Sequence, residues 1–297
     1  MKTNVKNLTI ALALILPAPA MAFIISPVNS DAAATLFAAL LGPDSGINVD
    51  MTTLAFVGKT TVGEEQSATY TGMNLVPDDG VGATITNPDG ILLTSGHANM
   101  PTTNTESNFS NSLSQPGTGS NAALSTLSGN NTFDQNFLSF DFTLAAGNAV
   151  SANFVFASDE FPTQTVTDIF GFFVDGVNNA FFPGGALVSN VPQANFQSNP
   201  VGSSRYPNEY NGFTPSLTVT GLLAPGLTTH NMLIAIADTF DSIFDSGVFI
   251  GNLRSTTASS GGIGDPAPVA SVPVPATYAL MAIGLALLGA LRRRSAV

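Results

Sequence analysis

The chain has 297 residues, with 8 Lys and Arg against 20 Asp and Glu, a net charge of −12, no cysteine and no tryptophan. The lack of cysteine excludes disulfides, thiolate catalysis, Cys-ligated zinc and iron–sulfur clusters. Lys2, Lys6, Arg292, Arg293 and Arg294 sit at the two ends, which leaves residues 23–271 (body and linker) 3 basic residues (Lys59, Arg205, Arg254) against all 20 acids, a formal −17. That balance argues against nucleic acid and anionic membrane surfaces, which want basic patches, and favours cations such as Ca²⁺.

Residues 1–22 read as a secretory signal peptide. Lys2 and Lys6 precede an apolar run over residues 8–16, and Ala20 and Ala22 flank Met21 as a small-x-small cleavage site. The body, residues 23–254, is long enough for one sizeable domain, and its 21 Phe make phenylalanine the main bulky core residue. One helix is predicted over residues 30–42, with Ser30 as cap, Asp31 in the first turn and Leu36, Phe37, Leu40 and Leu41 as its apolar face.

Short strands follow. The pattern predicts them at 52–57, 68–75, 82–86 and 90–95, divided by turn residues such as Pro77-Asp78-Asp79-Gly80. Residues 100–131 are rich in Asn, Ser, Thr and Gly and read as a long polar loop. The clearest strand is 137–144, with Leu138, Phe140, Phe142 and Leu144 on one face and Ser139, Asp141 and Thr143 on the other. Further strands are predicted at 150–156, at 168–174 ending in a hairpin at Asp175-Gly176, and at 181–188, 216–220, 231–237 and 247–253. About ten strands at this spacing predict an all-β body of β-sandwich or jelly-roll type with one short N-terminal helix. Residues 255–271 form a Ser/Thr/Gly/Pro-rich linker.

The chain closes on three parts in order: Val272, Pro273, Val274, Pro275, Ala276 and Thr277; an uncharged run over 278–291; and Arg292, Arg293 and Arg294. The run lacks a polar face, and the arginines fit a cytoplasmic stop, so a transmembrane helix is expected over 277–291 with the body outside. At ~1.5 Å per residue the uncharged run spans roughly 21 Å, short of the ~30 Å hydrocarbon core, which suits a transient handle better than a permanent anchor. This tail resembles the PEP-CTERM protein-sorting signal of Gram-negative bacteria. Val274 stands where the signature Glu would be, so the tail is closer to the Val-Pro-Leu-Pro-Ala-type variants. The resemblance implies recognition by an exosortase, removal of the tail, and release or attachment at the cell surface, often alongside exopolysaccharide or biofilm production.

A second resemblance rests on Gly90-Ile91-Leu92-Leu93-Thr94-Ser95-Gly96, Phe154-Val155-Phe156-Ala157-Ser158-Asp159-Glu160-Phe161, Asp168-Ile169-Phe170-Gly171-Phe172, Ile234-Ala235-Ile236-Ala237-Asp238, and the run from Asp241 through Asp245 to Ile250. In this order, over residues 34–254, they resemble the choice-of-anchor L domain of bacterial surface proteins. That resemblance implies a β-rich fold and a surface location, and no activity.

The chemistry-bearing residues are acids in turns. Asp238, Asp241 and Asp245 lie between two predicted strands, Asp159 and Glu160 follow another, and Asp168 opens the next. Counting alternating strand directions places all of them at one end of the body. Carboxylates so gathered repel one another unless a hard cation takes their oxygens, and Ca²⁺ is the natural one outside a cell. The alternative is solvated acids that cap turns. No His-Glu-x-x-His or Gly-x-Ser-x-Gly occurs, His97 and His230 are the only histidines, and Asp159 and Glu160, adjacent on an extended chain, point apart as a glycosidase pair would not. The expected function is a non-enzymatic structural or adhesive surface domain. The alternative is a module binding exopolysaccharide, and a secreted hydrolase stands behind both.

Overall fold

The computed structural model describes residues 23–106, 115–162, 167–182, 184–189, 196–203 and 205–264. The signal peptide expected over residues 1–22, and the tail over 272–297 with its expected helix, lie outside the described residues. Among those described, no helix is long and apolar enough to cross a membrane.

Ten strands of four or more residues are described: β1 Ile24–Pro27, β2 Ile47–Val57, β3 Ser67–Thr71, β4 Asp89–Thr94, β5 Thr132–Leu144, β6 Ala149–Ser158, β7 Ile169–Val174, β8 Leu217–Leu222, β9 His230–Thr239 and β10 Ser246–Thr256. They form two antiparallel sheets. The first runs β1-β3-β4-β10-β6, with β8 also paired to β6; the second runs β7-β9-β5-β2.

The two sheets share one apolar core. Phe154 and Phe156 of β6 and Val248 and Ile250 of β10 belong to it, together with Phe140 and Phe142 of β5, Phe170 and Phe172 of β7, and Ile234 and Ile236 of β9. Phe154 and Phe170 approach to 5.3 Å between ring centroids. With no Trp in the chain, these rings carry most of the burial, at about 1.5–3 kcal/mol for each one fully removed from water. The alternation read in β5 is present: Leu138, Phe140 and Phe142 are buried, while Ser139, Asp141 and Thr143 are only half-buried. The hairpin at Asp175-Gly176 is also present, both residues taking positive φ (50° and 78°) as a two-residue hairpin loop requires.

The outer faces are partly covered too. Tyr70, Tyr206, Tyr210 and Phe213 pack over Leu92, Val155 and Phe249 of the first sheet. On the second, Leu124 packs with Ile169, Phe173, Ala235 and Ala237. Strands covered on both sides need no polar face, which is why β7 is buried from end to end.

Five expectations change. The strand read at 68–75 breaks at Gly72, which takes φ 69°, into Ser67–Thr71 and Asn74–Leu75, and the one read at 82–86 is only Ile85–Thr86, paired with Asn74–Leu75. The N-terminal helix, α1, is Ala32–Leu40; its N-cap is Asp31 with φ 46° and no side-chain cap, not Ser30. The stretch read as a polar loop contains a second helix, α2, Ala122–Ser128, capped by Asn121 Oδ1 on Leu124 N at 3.1 Å and closed by Gly129 at φ 73°. Residues 181–188 make only a bridge, Phe181 to Leu187, and the edge of a two-residue strand. Finally, β2 and β5 begin five residues before the expected strands, because Ile47–Asp50 pair with β5, and Thr132, Phe133 and Asn136 pair with β9, in stretches whose mixed polar and apolar residues hid the pattern.

Candidate cation site

The inward rows of the strands change character along their length. On β5 the buried row reads Thr132, Asp134, Asn136, Leu138, Phe140, Phe142. On β9 it reads Met232, Ile234, Ile236, Asp238; the last is reached past a bulge between Ile236 and Asp238. On β6 and β10 the apolar rows end in Ser158 and Ser246, which are paired in register. Period-two geometry therefore carries the polar residues into the same layer as the core. One end of the space between the sheets is apolar; the other is acidic.

At that end Asp159, Glu160, Asp168, Asp238 and Asp245 are each at most 3% exposed. Antiparallel pairing of β6 with β10 sets Asp159 beside Asp245, with Asp159 N donating to Asp245 O at 3.1 Å. Pairing of β9 with β7 sets Ala237 opposite Ile169, so Asp238 and Asp168 are neighbours. Ser246 Oγ donates across the gap between the sheets to Asp168 Oδ2 at 2.5 Å and also bonds Ser158 Oγ at 2.9 Å. Asp245 Oδ2 presses on Gly96, where an added Cβ would stand 1.7 Å from it; only glycine fits there. Asp241 is close to the set but not buried with it. It is half-buried in the β9–β10 turn, and its Oδ1 accepts from Ile243 N at 3.1 Å.

The donors nearby are already engaged. Asn136 Nδ2 donates to the carbonyls of Gln66 and Thr94, and Gln66 Nε2 to those of Ser95 and Asp134. Ser95 Oγ, whose lowering pull on Asp238 is outweighed by burial and by the charges of Asp168 and Asp245, is bonded to Ser246 N and Ser246 O. Lys59 pairs with Glu64, Arg205 with Asp79, and Arg254 donates to Asn252 O. As a result neither carboxylate oxygen of Asp238 has a hydrogen-bond partner, nor does Asp168 Oδ1 or Glu160 Oε2.

Burial, with the neighbouring charges of Asp168, Asp241, Asp245 and Asp159, pushes Glu160 up to about 9. Burial also pushes Asp168 up to about 8, against the pull of the Ser246 hydroxyl. Asp238 and Asp245 are driven well above the usual carboxylate range, first by burial and then by Asp168. Beside them lies an enclosed cavity of about 10 Å³ lined by Thr94, His97, Met100, Asp159, Glu209, Tyr210 and Asp245. That is room for one water-sized sphere. As the side chains stand, no group of three or more His, Asp or Glu among the described residues closes on a point at ligand distances.

Residues 63–254 match the choice-of-anchor L domain, and residues 271–294 match the PEP-CTERM protein-sorting motif. The chain belongs to the choice-of-anchor L family. The choice-of-anchor L domain and the sorting motif together make it an exported surface protein of the kind processed by an exosortase. No curated protein and no solved structure matches the chain. The choice-of-anchor L match begins after α1, yet Leu36, Phe37 and Leu40 of α1 pack in the same core, so the structural domain starts well before the matched segment.

Two further carboxylates belong to the neighbourhood of this site in the choice-of-anchor L domain. Asp134 is 3% exposed, takes φ 48°, and is raised by burial while its Oδ1 accepts from Gly117 N at 2.5 Å. Its signal lay in the residues just before the strand predicted at 137, two and four positions back along the inward row. Glu209, on the cavity wall, accepts from Thr105 N at 3.1 Å and Glu106 N at 3.0 Å, and from the Thr103 hydroxyl. A Glu inside a Tyr-Pro-Asn loop carries no pattern that would single it out.

The two histidines lie apart. His97 lines the acidic cavity. His230 opens β9 at its other end, its Nδ1 2.8 Å from Asp175 Oδ2 and its ring 5.8 Å from that of Phe142. Asp175 also accepts from Ala224 N and Asn231 N; although burial opposes it, these bonds hold its carboxyl below the usual range. This pair ties the Asp175-Gly176 hairpin to β9.

Proposed function

We propose that the body is a β-sandwich of jelly-roll type with a structural or adhesive, non-enzymatic role at the cell surface, and that its buried acidic end holds Ca²⁺. The supporting observation is Asp238: a fully buried carboxylate with two unpartnered oxygens, among four other buried acids, while Lys59, Arg205 and Arg254 bond elsewhere. Leaving such charges uncompensated costs several kcal/mol per ion. Two outcomes relieve that cost. Either the acids hold protons at neutral pH, or a divalent cation replaces the protons. Oxygen ligands from carboxylates are what Ca²⁺ takes, in flexible geometry with six to eight donors. Asp159, Glu160, Asp168, Asp238 and Asp245 are the proposed ligands, with Asp241 on the rim. Binding draws the carboxylates inward from the positions they hold here, since the ion removes the repulsion that keeps them apart.

Export through the signal peptide, transient membrane anchoring over 277–291 and removal of the tail by an exosortase-type enzyme complete the reading. Titration calorimetry of Ca²⁺ into the chelator-stripped full chain tests the cation. A saturable heat with proton release is expected, because bound carboxylates must be ionised. A flat titration at neutral and alkaline pH would leave the acids as protonated structural groups.

A further inference from the structure

Outside the acidic centre lies an open groove of about 650 Å³, lined by Ser125, Thr126, Gly129, Asn130, Asn131 and Phe240. No charged residue lines it. Its floor is the end of α2 and the turn that leads into β5; its wall is the first residue past β9. Phe240 N donates to Asn131 O at 3.3 Å, which joins the two sides. Phe240 is 61% exposed and takes φ 71°, a left-handed conformation that a bulky side chain adopts at a cost. Phe244 in the same turn takes φ 64°. An aromatic ring held both strained and in water gains nothing for folding. Backbone strain of this kind, once observed, points towards use of the side chain.

We propose that this groove binds a neutral oligosaccharide, with the C–H face of one sugar ring on Phe240 and its hydroxyls on Ser125, Thr126, Asn130 and Asn131. Ser125 Oγ bonds Ser120 and Thr132, Thr126 Oγ1 donates to Ala122 O and Asn130 Nδ2 to Ser128 O, yet hydroxyl and amide groups both donate and accept, so each keeps a lone pair or a second N–H for a sugar hydroxyl. The volume lies within the range of small-ligand sites, about 300–1,000 Å³. The uncharged lining and the −17 of body and linker select against polyanionic glycans, which the protein's field repels. Phe240 stands in the turn that also carries Asp241 and Asp245, but the groove contains neither, so this inference does not rest on the cation reading.

The test is an array of neutral oligosaccharides (gluco-, galacto- and manno-configured), with alginate and hyaluronan fragments as acidic comparators, probed with the full chain in calcium and again in chelator. Binding to at least one neutral glycan is expected in calcium. Phe240→Gly removes the ring and accepts φ 71° without strain, so it should melt no lower than the parent and bind at least tenfold more weakly. Asn131→Ala should weaken binding several-fold and serves as the second variant if Phe240→Gly fails to fold. No neutral binding, binding to acidic glycans alone, or affinity unchanged in the folded variants would overturn the proposal. Glycan binding that persists in a protein with no calorimetric calcium response would overturn the cation reading and leave this one standing.

Discussion

At the scale of single residues the account turns on Asp238. If the five buried acids were ordinary structural groups, replacing one by its amide would remove a hydrogen-bonding carboxyl and cost about 1–3 kcal/mol. If they await a cation, Asp238→Asn relieves repulsion in the metal-free protein and removes a ligand from the metal-bound one. The expected result is a metal-free form at least as stable as the parent, with its response to calcium weakened at least tenfold; denaturant unfolding with and without calcium measures both. The pKa directions add a sign. Glu160 and Asp168 are raised to about 9 and about 8, so the metal-free folded state holds protons that the unfolded state has released. Their contribution to stability is complete below about pH 4 and is lost as pH rises through those values. Calcium reverses this trend, because it stabilises the ionised form.

At the scale of elements, the core between the sheets is built from phenylalanine rows, and Phe154 on β6 meets Phe170 on β7 across it. Phe154→Ala leaves a cavity in this packed core and should cost about 3–5 kcal/mol, read as a lower denaturant midpoint with unchanged slope. These rows were legible in the sequence, since Leu138, Phe140 and Phe142 alternate with Ser139, Asp141 and Thr143. The polar extensions of the same rows were not. Asp134 and Asn136 continue the buried face of β5, but a hydrophobicity pattern marks polar residues as exposed, so the strand was expected to start at 137. Helix α2 was hidden for a related reason: Asn121 and Gly129 are good caps, but the Ala/Leu/Ser/Thr segment between them is only seven residues long and sits in a polar composition. Counting strands leads to the expectation that the acids at 159, 160, 168, 238, 241 and 245 gather at one end, though Asp238 lies within β9 rather than in the turn after it. The burial of Asp159 and Asp245 could not be read in the same way, because the cavity beside them is walled by His97, Met100, Glu209 and Tyr210, which are distant in sequence.

At the scale of the whole molecule, an acidic choice-of-anchor L domain with no cysteine carries a PEP-CTERM motif at its end. Mass spectrometry of the C-terminus in membrane and medium fractions should find a chain ending near Pro275; an intact tail confined to membranes would make the tail a lasting anchor. A protein exported without disulfides gains from a ligand that binds only the folded state, and calcium at 100 times its Kd would add about 2.7 kcal/mol. For a domain of this size that corresponds to roughly 5–10 °C in Tm. The most direct measurement is therefore the melting temperature of the chelator-stripped chain at pH 5 and pH 8, with and without calcium. The account predicts a metal-free protein that melts lower at pH 8 than at pH 5 and recovers with calcium at pH 8. Melting curves that coincide with and without calcium at both pH values would contradict it.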